Sequence, residues 1–306
     1  EGSLVSINGG TFTINAGGTN STIINNHGAN SIVTATNGTF KVKANNSTGI
    51  KNSNTVEIRG ASSSLEVTAN NSNGFRNESS TSTLEIFDGG TYSVNGTNSN
   101  IISNAGASVK TTRGTFTVKG TESNGITSSA GDVKTVLGEY IVDNGTRSNA
   151  IVAGGGTVES KGTKFTIKGE QSNGINDQAA TSVIVNRNGA PDWTNAKFQI
   201  GDGTDTKYSN GIYVKAAPLS VDYSDFTVNS ISTTGRNNGI LIVAASKDHA
   251  VKNSTFNINS PESNGIRVEA VVNKLDVEES SFTTSGNSNN GIYADMSGKP
   301  LNIKNT

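Results

Sequence analysis

The sequence predicts an all-β chain, a right-handed three-faced parallel β-helix of about eleven turns of about 25 residues each. Three observations carry that prediction. A Ser-Asn-Gly-Ile motif recurs at a nearly constant interval, an aromatic residue recurs at one position inside each interval, and no stretch carries the i, i+3, i+4, i+7 apolar spacing of a helix.

The motif sets the turns. Its last members are Ile24, Ile50, Phe75, Ile102, Ile126, Ile151, Ile175, Ile212, Ile240, Ile266 and Ile292, separated by 26, 25, 27, 24, 25, 24, 37, 28, 26 and 26 residues. One long interval breaks the series, so a loop insertion is expected over 176–207, within what is otherwise a single solenoid domain over 1–306. The insertion holds Pro191, Asp192 and the only Trp, Trp193, whose large amphipathic ring either pins the loop to the solenoid or serves as a contact residue.

Each period also contains a short apolar pair, such as Val56 with Ile58, and a Gly-Thr-Phe-Thr-Val-like segment. Both alternate with period two and are rich in β-branched residues, which reads as strand. The aromatic position runs Phe12, Phe40, Leu65, Tyr92, Phe116, Tyr140, Phe165, Phe198, Phe226, Phe256 and Phe282, and it uses eight of the ten Phe. Rings at one position of successive parallel strands stack about 4.8 Å apart, so these residues form an interior ladder. Strands this short cannot bury an apolar face alone; coiling with equivalent strands in parallel lets each turn cover the next. The right hand follows from the rule for parallel crossovers.

The composition agrees. Hydrophobic residues make up only 32% of the chain, with 36 Gly and 4 Pro, too little apolar material for a wide layered core but enough for a narrow stacked one. The formal net charge of -1 favours neither nucleic acid nor an anionic membrane, and with no Cys there is no disulfide framework and no thiolate metal site. No run of 18 apolar residues and no leader-like segment occurs, so no direct membrane insertion of this segment is expected.

Within the motif, Asn and Ile lie two apart. If the strand reaches the corner, Asn73, Asn100, Asn124, Asn149, Asn173, Asn210, Asn238, Asn264 and Asn290 point inward with Ile and stack amide on amide. The alternative is that each Asn holds a left-handed corner, with Gly following for the same steric reason.

Catalytic constellations are sparse. Asp222 and Asp225 come closest to an acidic pair, but Asp222 follows the inward Val221 and alternates outward. His27 and His249 are some nine turns apart and cannot share a reaction centre or a metal. Asn26-His27-Gly28 lacks the acidic pair a polygalacturonase would place beside it, and Gly201-Asp202-Gly203-Thr204-Asp205 lacks the repetition of a calcium-binding β-roll. No enzyme activity, metal or cofactor is expected. Outward Thr pairs such as Thr115 with Thr117 reflect strand propensity, and the outward series Glu57, Glu85, Lys110, Lys134, Glu159 reads as a solvated face with cross-turn pairing.

The residue after the motif's Ile alternates outward. It is Asn25, Lys51, Arg76, Ser103, Thr127, Val152 and Asn176 in the early turns, then Tyr213, Leu241, Arg267 and Tyr293. Two Tyr and an Arg in four stacked turns have the composition of an interface or a sugar-stacking strip, so these four residues and Trp193 are the binding candidates.

Turns such as Asn71-Ser72-Asn73-Gly74-Phe75 and Tyr208-Ser209-Asn210-Gly211-Ile212-Tyr213, with the missing Cys and the Gly/Asn/Thr-rich composition, give the whole chain a resemblance. It resembles the right-handed β-helical passenger domains of type V autotransporter adhesins, of the AIDA type and the self-associating type. The resemblance implies that the chain is a fragment of a longer passenger, exported through the outer membrane to the bacterial cell surface. It also implies an adhesin stalk that binds copies of itself on neighbouring cells (aggregation, biofilm) or a host surface glycan or matrix protein, a role in virulence. Self-association is the preferred version, because a near-neutral solenoid can meet a like stripe in register. Two other β-helical classes compete: a polysaccharide lyase or hydrolase, favoured by acids clustered in a groove, and a phage tailspike, favoured by a trimeric mass.

Overall fold

The computed structural model describes residues 3–185, 195–203, 205–244 and 246–306. Among these the chain forms strands and turns and no helix. Each turn lays down three strands, beginning with Leu4–Asn8, Thr11–Ile14 and Thr22–Asn26, before the next turn starts at Ile32–Thr36. Equivalent strands of successive turns pair in parallel, giving sheets of 12, 11 and 11 strands that run the length of the molecule. The three sheets are called here the valine face, the aromatic face and the asparagine face. The expected parallel β-solenoid of about eleven turns is therefore observed.

Register explains why the sequence repeats. Phe116 lies opposite Tyr92 on one side and Tyr140 on the other, and Val109 lies between Leu84 and Val133. A residue type that fits one turn meets the same surroundings in the next. From Tyr92 to Phe282 the rings stack with centroids 4.6–5.5 Å apart, and interplanar angles fall to 3° at Phe226–Phe256. Phe12 and Phe282, in the end turns, are half-buried; the other rings are buried.

The ladder's single aliphatic member is compensated. Where Leu65 replaces a ring, Phe75 replaces the usual Ile of the asparagine face and reaches across, 6.4 Å from Phe40 and 6.2 Å from Tyr92 in tilted contacts. The buried Tyr hydroxyls find partners as buried polar groups must: that of Tyr92 donates to the Gly89 carbonyl at 3.1 Å, and that of Tyr140 lies 2.8 Å from Thr111 Oγ1.

The long interval contains ladder strands. Ser182–Val185 and Ala196–Ile200 keep their places in the valine and aromatic faces, so the span 176–207 expected as an insertion is not loop throughout. The extra length falls between Val185 and Ala196 and between Ile200 and Asn210. Ten residues separate those two strands where the preceding turn uses two, and nine precede Asn210 where the preceding turn uses five. Pro191, Asp192 and Trp193 lie outside the described residues.

Polar spines run beside the apolar core. On the inner side of the asparagine face, Asn26, Asn52 and Asn77 each donate to the Oδ1 of the next turn's Asn at 2.8 Å, and Asn104 ends the row on Ser128 Oγ at 2.9 Å. Two turns later the same row holds Asp177, fully buried. Its Oδ1 accepts the Ala180 N–H at 2.7 Å, and its Oδ2 accepts those of Lys215, Ala216 and Ala217 at 3.1, 2.8 and 2.8 Å. A carboxylate supplied with four amide donors in the interior is a satisfied anion, and it ties the corner of one turn to the next.

The motif's Ser forms a further spine that the sequence did not reveal. The N–H of Ser72 donates to Ser99 Oγ, Ser99 to Ser123, Ser123 to Ser148 and Ser148 to Ser172, at 3.0–3.2 Å. Asn237 and Asn289 take the Ser place in two later turns and accept in the same way.

The motif's Asn residues do stack, but not inward with Ile. Each donates its amide to the Oδ1 of the preceding turn's Asn, from Asn100 onto Asn73 at 3.0 Å through to Asn290 onto Asn264 at 2.9 Å. The reason lies at Gly. A Cβ on Gly211 would sit 3.2 Å from Phe198 Cβ and 2.6 Å from the Gly239 carbonyl oxygen. Both Gly and Ile therefore face the core, alternation fails at the corner, and Asn is left on the outer side. The left-handed corner is real but falls two residues earlier, at Asn71, Asn98, Glu122, Arg147, Gln171, Tyr208, Glu262 and Ser288.

Candidate functional site

The valine face carries the outward charge series as expected: Glu57, Glu85, Lys110, Lys134 and Glu159 are in register, with Lys110 3.7 Å from Glu85 and Lys134 3.1 Å from Glu159. Pairing extends to the carboxylates weighed for chemistry. Asp202 pairs with Lys168 at 2.7 Å and Asp205 with Lys207 at 3.0 Å, which holds the Asp205 carboxyl below its ordinary range. Asp222 accepts from Asn253 and Asp225 from Asn195, on strands either side of a corner. His27 is exposed, and no group of three His, Asp or Glu among the described residues could hold a metal ion. A hollow of about 320 Å3 on the valine face is bordered by Ser220, Asp248, Ala250, Lys274 and Asp276, but Lys274 and Asp276 already pair at 2.7 Å.

His249 is the unexpected occupant of the interior. It stands in the inward row of the valine face between Leu219 and Leu275, buried, and neither ring nitrogen has a hydrogen-bond partner. Burial pushes its pKa down to about 4; a backbone contact with Ala244, which falls short of hydrogen-bond geometry, and the charges of Asp248 and Asp177 push the other way.

The four predicted contact residues meet on the outside of the asparagine face. Parallel pairing sets Tyr213 beside Leu241, Leu241 beside Arg267 and Arg267 beside Tyr293. The Arg267 guanidinium lies 5.0 Å from the centre of the Tyr293 ring and pairs with Glu269 at 2.5 Å. Tyr293 is 45% exposed, whereas Tyr213 is partly covered; burial first, then the charges of Glu269 and Asp177, raise its hydroxyl pKa.

Leu241, Arg267 and Tyr293 form one wall of a trough, with Tyr213 just beyond it. Two adjoining hollows, of about 260 and 250 Å3, share Arg236 and Arg267. Of the stacked amides, Asn210 and Asn238 border the first hollow and Asn264 and Asn290 the second. The opposite wall comes from the residues two before each of these Asn: Tyr208, Arg236, Glu262 and Ser288. Tyr208 is 53% exposed, its hydroxyl donating to the Thr234 carbonyl at 3.1 Å. The side chains of Arg236 and Glu262, on consecutive turns, make no ion pair or hydrogen bond among the described residues. Charge in the trough balances, two Arg against Glu262 and Glu269.

The sequence reading found one wall and missed the other. A signal was present: the corner position is Asn71, Asn98, Glu122, Arg147 and Gln171 before it becomes Tyr208 and Arg236 in the turns where the outer stripe turns aromatic.

No protein-family model and no curated protein matches the chain. Among the described residues, no helix is long and apolar enough to cross a membrane.

Proposed function

We propose that this chain is a non-catalytic binding solenoid, the stalk of a bacterial surface adhesin, displayed after export through the outer membrane. It makes contact through the outer asparagine face of its last four turns, with a host surface molecule or with copies on neighbouring cells. The observation that carries the reading is the in-register alignment of Tyr213, Leu241, Arg267 and Tyr293, the last three of which border a trough beside the stacked amides. Aromatic rings and Arg concentrated on a rigid repeating face are what an interface requires, and repetition along the axis adds weak contacts into avidity. The Lys and Asn partners of the described carboxylates favour binding over hydrolysis, which needs two carboxyl groups facing one substrate.

The test displays the chain on cells and compares it with the triple variant Tyr213→Ser, Arg267→Ser, Tyr293→Ser. Adhesion and aggregation should fall while circular dichroism shows the variant still folded; because the Arg267 side chain is only 13% exposed and Tyr213 is half-buried, a stability loss of about 1–3 kcal/mol is expected. A matched variant in the early turns of the same face, Lys51→Ser with Arg76→Ser, should adhere as the parent does. Equal adhesion by all three proteins refutes the reading.

A further inference from the structure

We propose that the trough binds a neutral, linear polysaccharide laid along the solenoid axis. This rests on the adhesion reading above and names its ligand class.

Shape is the first argument. The trough spans the turns of Asn210, Asn238, Asn264 and Asn290, so at about 4.8 Å per turn its length is roughly 15 Å. Two hollows of about 260 and 250 Å3 in line take a single-file chain. A globular partner, or a second copy of this face, needs a broad complementary patch of about 800 Å2, and a narrow trough of two small hollows in line does not offer one.

Hydrogen-bonding capacity is the second. Each amide of the row gives one hydrogen to the Asn before it and receives one bond from the Asn after it. An amide has two donors and two acceptor lone pairs, but Asn210, Asn238 and Asn264 are buried, so only the exposed Asn290 presents unspent capacity to a ligand. The Oδ1 of Asn290 accepts from no further Asn among the described residues. A sugar hydroxyl, which both donates and accepts, matches that amide at the end of the trough.

The third argument is charge. Arg267 is neutralised by Glu269, while Arg236 and Glu262 stand unpaired on neighbouring turns, an empty donor fork beside an empty acceptor. Vicinal hydroxyls satisfy both at once. With Arg236 and Glu262 in one hollow, the trough has no net charge to attract an acidic or a basic polymer, which favours a neutral chain. The exposed rings of Tyr208 and Tyr293 stand toward opposite ends of the trough, where sugar faces can stack.

Calorimetric titration of the whole chain with cellohexaose and chitohexaose, against hexagalacturonate as the acidic probe, tests this. At least one neutral hexasaccharide should bind and the acidic one should not. Tyr208→Ala, Tyr293→Ala and Arg236→Ala, all surface changes, should each weaken binding about tenfold. Tighter binding of the acidic probe overturns the ligand class. Neutral binding that the variants leave unchanged overturns the site. If neither neutral chain binds while the triple variant still loses cell adhesion, the trough proposal fails and the adhesion reading survives with a protein partner. If adhesion is also unaffected, both fail.

Discussion

Replacing His249 by Leu should both stabilise the solenoid and remove an acid-sensitive step from its unfolding. The buried imidazole occupies a row whose neighbours on both sides are Leu, and it leaves two ring nitrogens without partners. Its pKa falls from 6.5 to about 4 because the interior disfavours the charged ring. Above pH 6.5 neither folded nor unfolded chain holds a proton there, so no penalty arises. Between 6.5 and 4 the unfolded chain binds the proton and the folded one does not, so stability is lost as pH falls through that window. At about 1.4 kcal/mol per pH unit, the loss totals about 3 kcal/mol. Urea unfolding followed by circular dichroism at pH 7, 5.5 and 4 measures it. The parent should lose about 3 kcal/mol more than His249→Leu across that range. The carboxylates of Glu159, Asp205, Asp276 and Glu278, held low mainly by Lys partners, lose their contribution chiefly in more acid solution and equally in both proteins. At pH 7 the variant should be about 1–3 kcal/mol more stable, because an unsatisfied buried polar group is gone. Identical pH dependence in the two proteins would refute the placement of this ring in the core.

Two further outcomes test the interior. Phe226→Ala removes a ring stacked 4.7 Å from both Phe198 and Phe256 and should cost about 3–5 kcal/mol, against less than about 0.5 for the outward Thr117→Ala; equal melting shifts contradict the ladder. Asp177→Leu strips the acceptor from four backbone N–H groups and should cost more than about 3 kcal/mol, with amide exchange at Ala216 and Ala217 accelerating first; unchanged protection there would show that the carboxylate does not hold the corner.

The fold was legible because of repetition. In a parallel stack every turn meets the same surroundings, so Phe116, Phe165 and Phe198 answer to one environment and the period shows in the residues themselves. The outward stripe was legible for the same reason, since alternation after a buried Ile fixes the side on which Tyr213 and Tyr293 emerge. Alternation failed only at the corner, where the close approach of Gly211 to the next turn's carbonyl turns Gly inward and Asn outward, a steric event between turns that no local pattern encodes.

What the sequence determined by itself was therefore much of what is periodic: strands, turns, parallel stacking, the aromatic ladder and one wall of the trough, but not the Ser spine or the side on which the motif's Asn emerges. The tertiary structure alone decided everything that depends on which singular residue meets which neighbour. Asp177 is an acceptor for four amides only because the following turn folds its corner back over it. His249 is neutral only because its row is closed by Leu219 and Leu275. Arg236 and Glu262 become a recognition pair only when coiling sets their consecutive turns, 26 residues apart in the chain, along one hollow. Periodicity is written in the spacing of residue types, whereas burial, pairing and charge balance are properties of the space between turns.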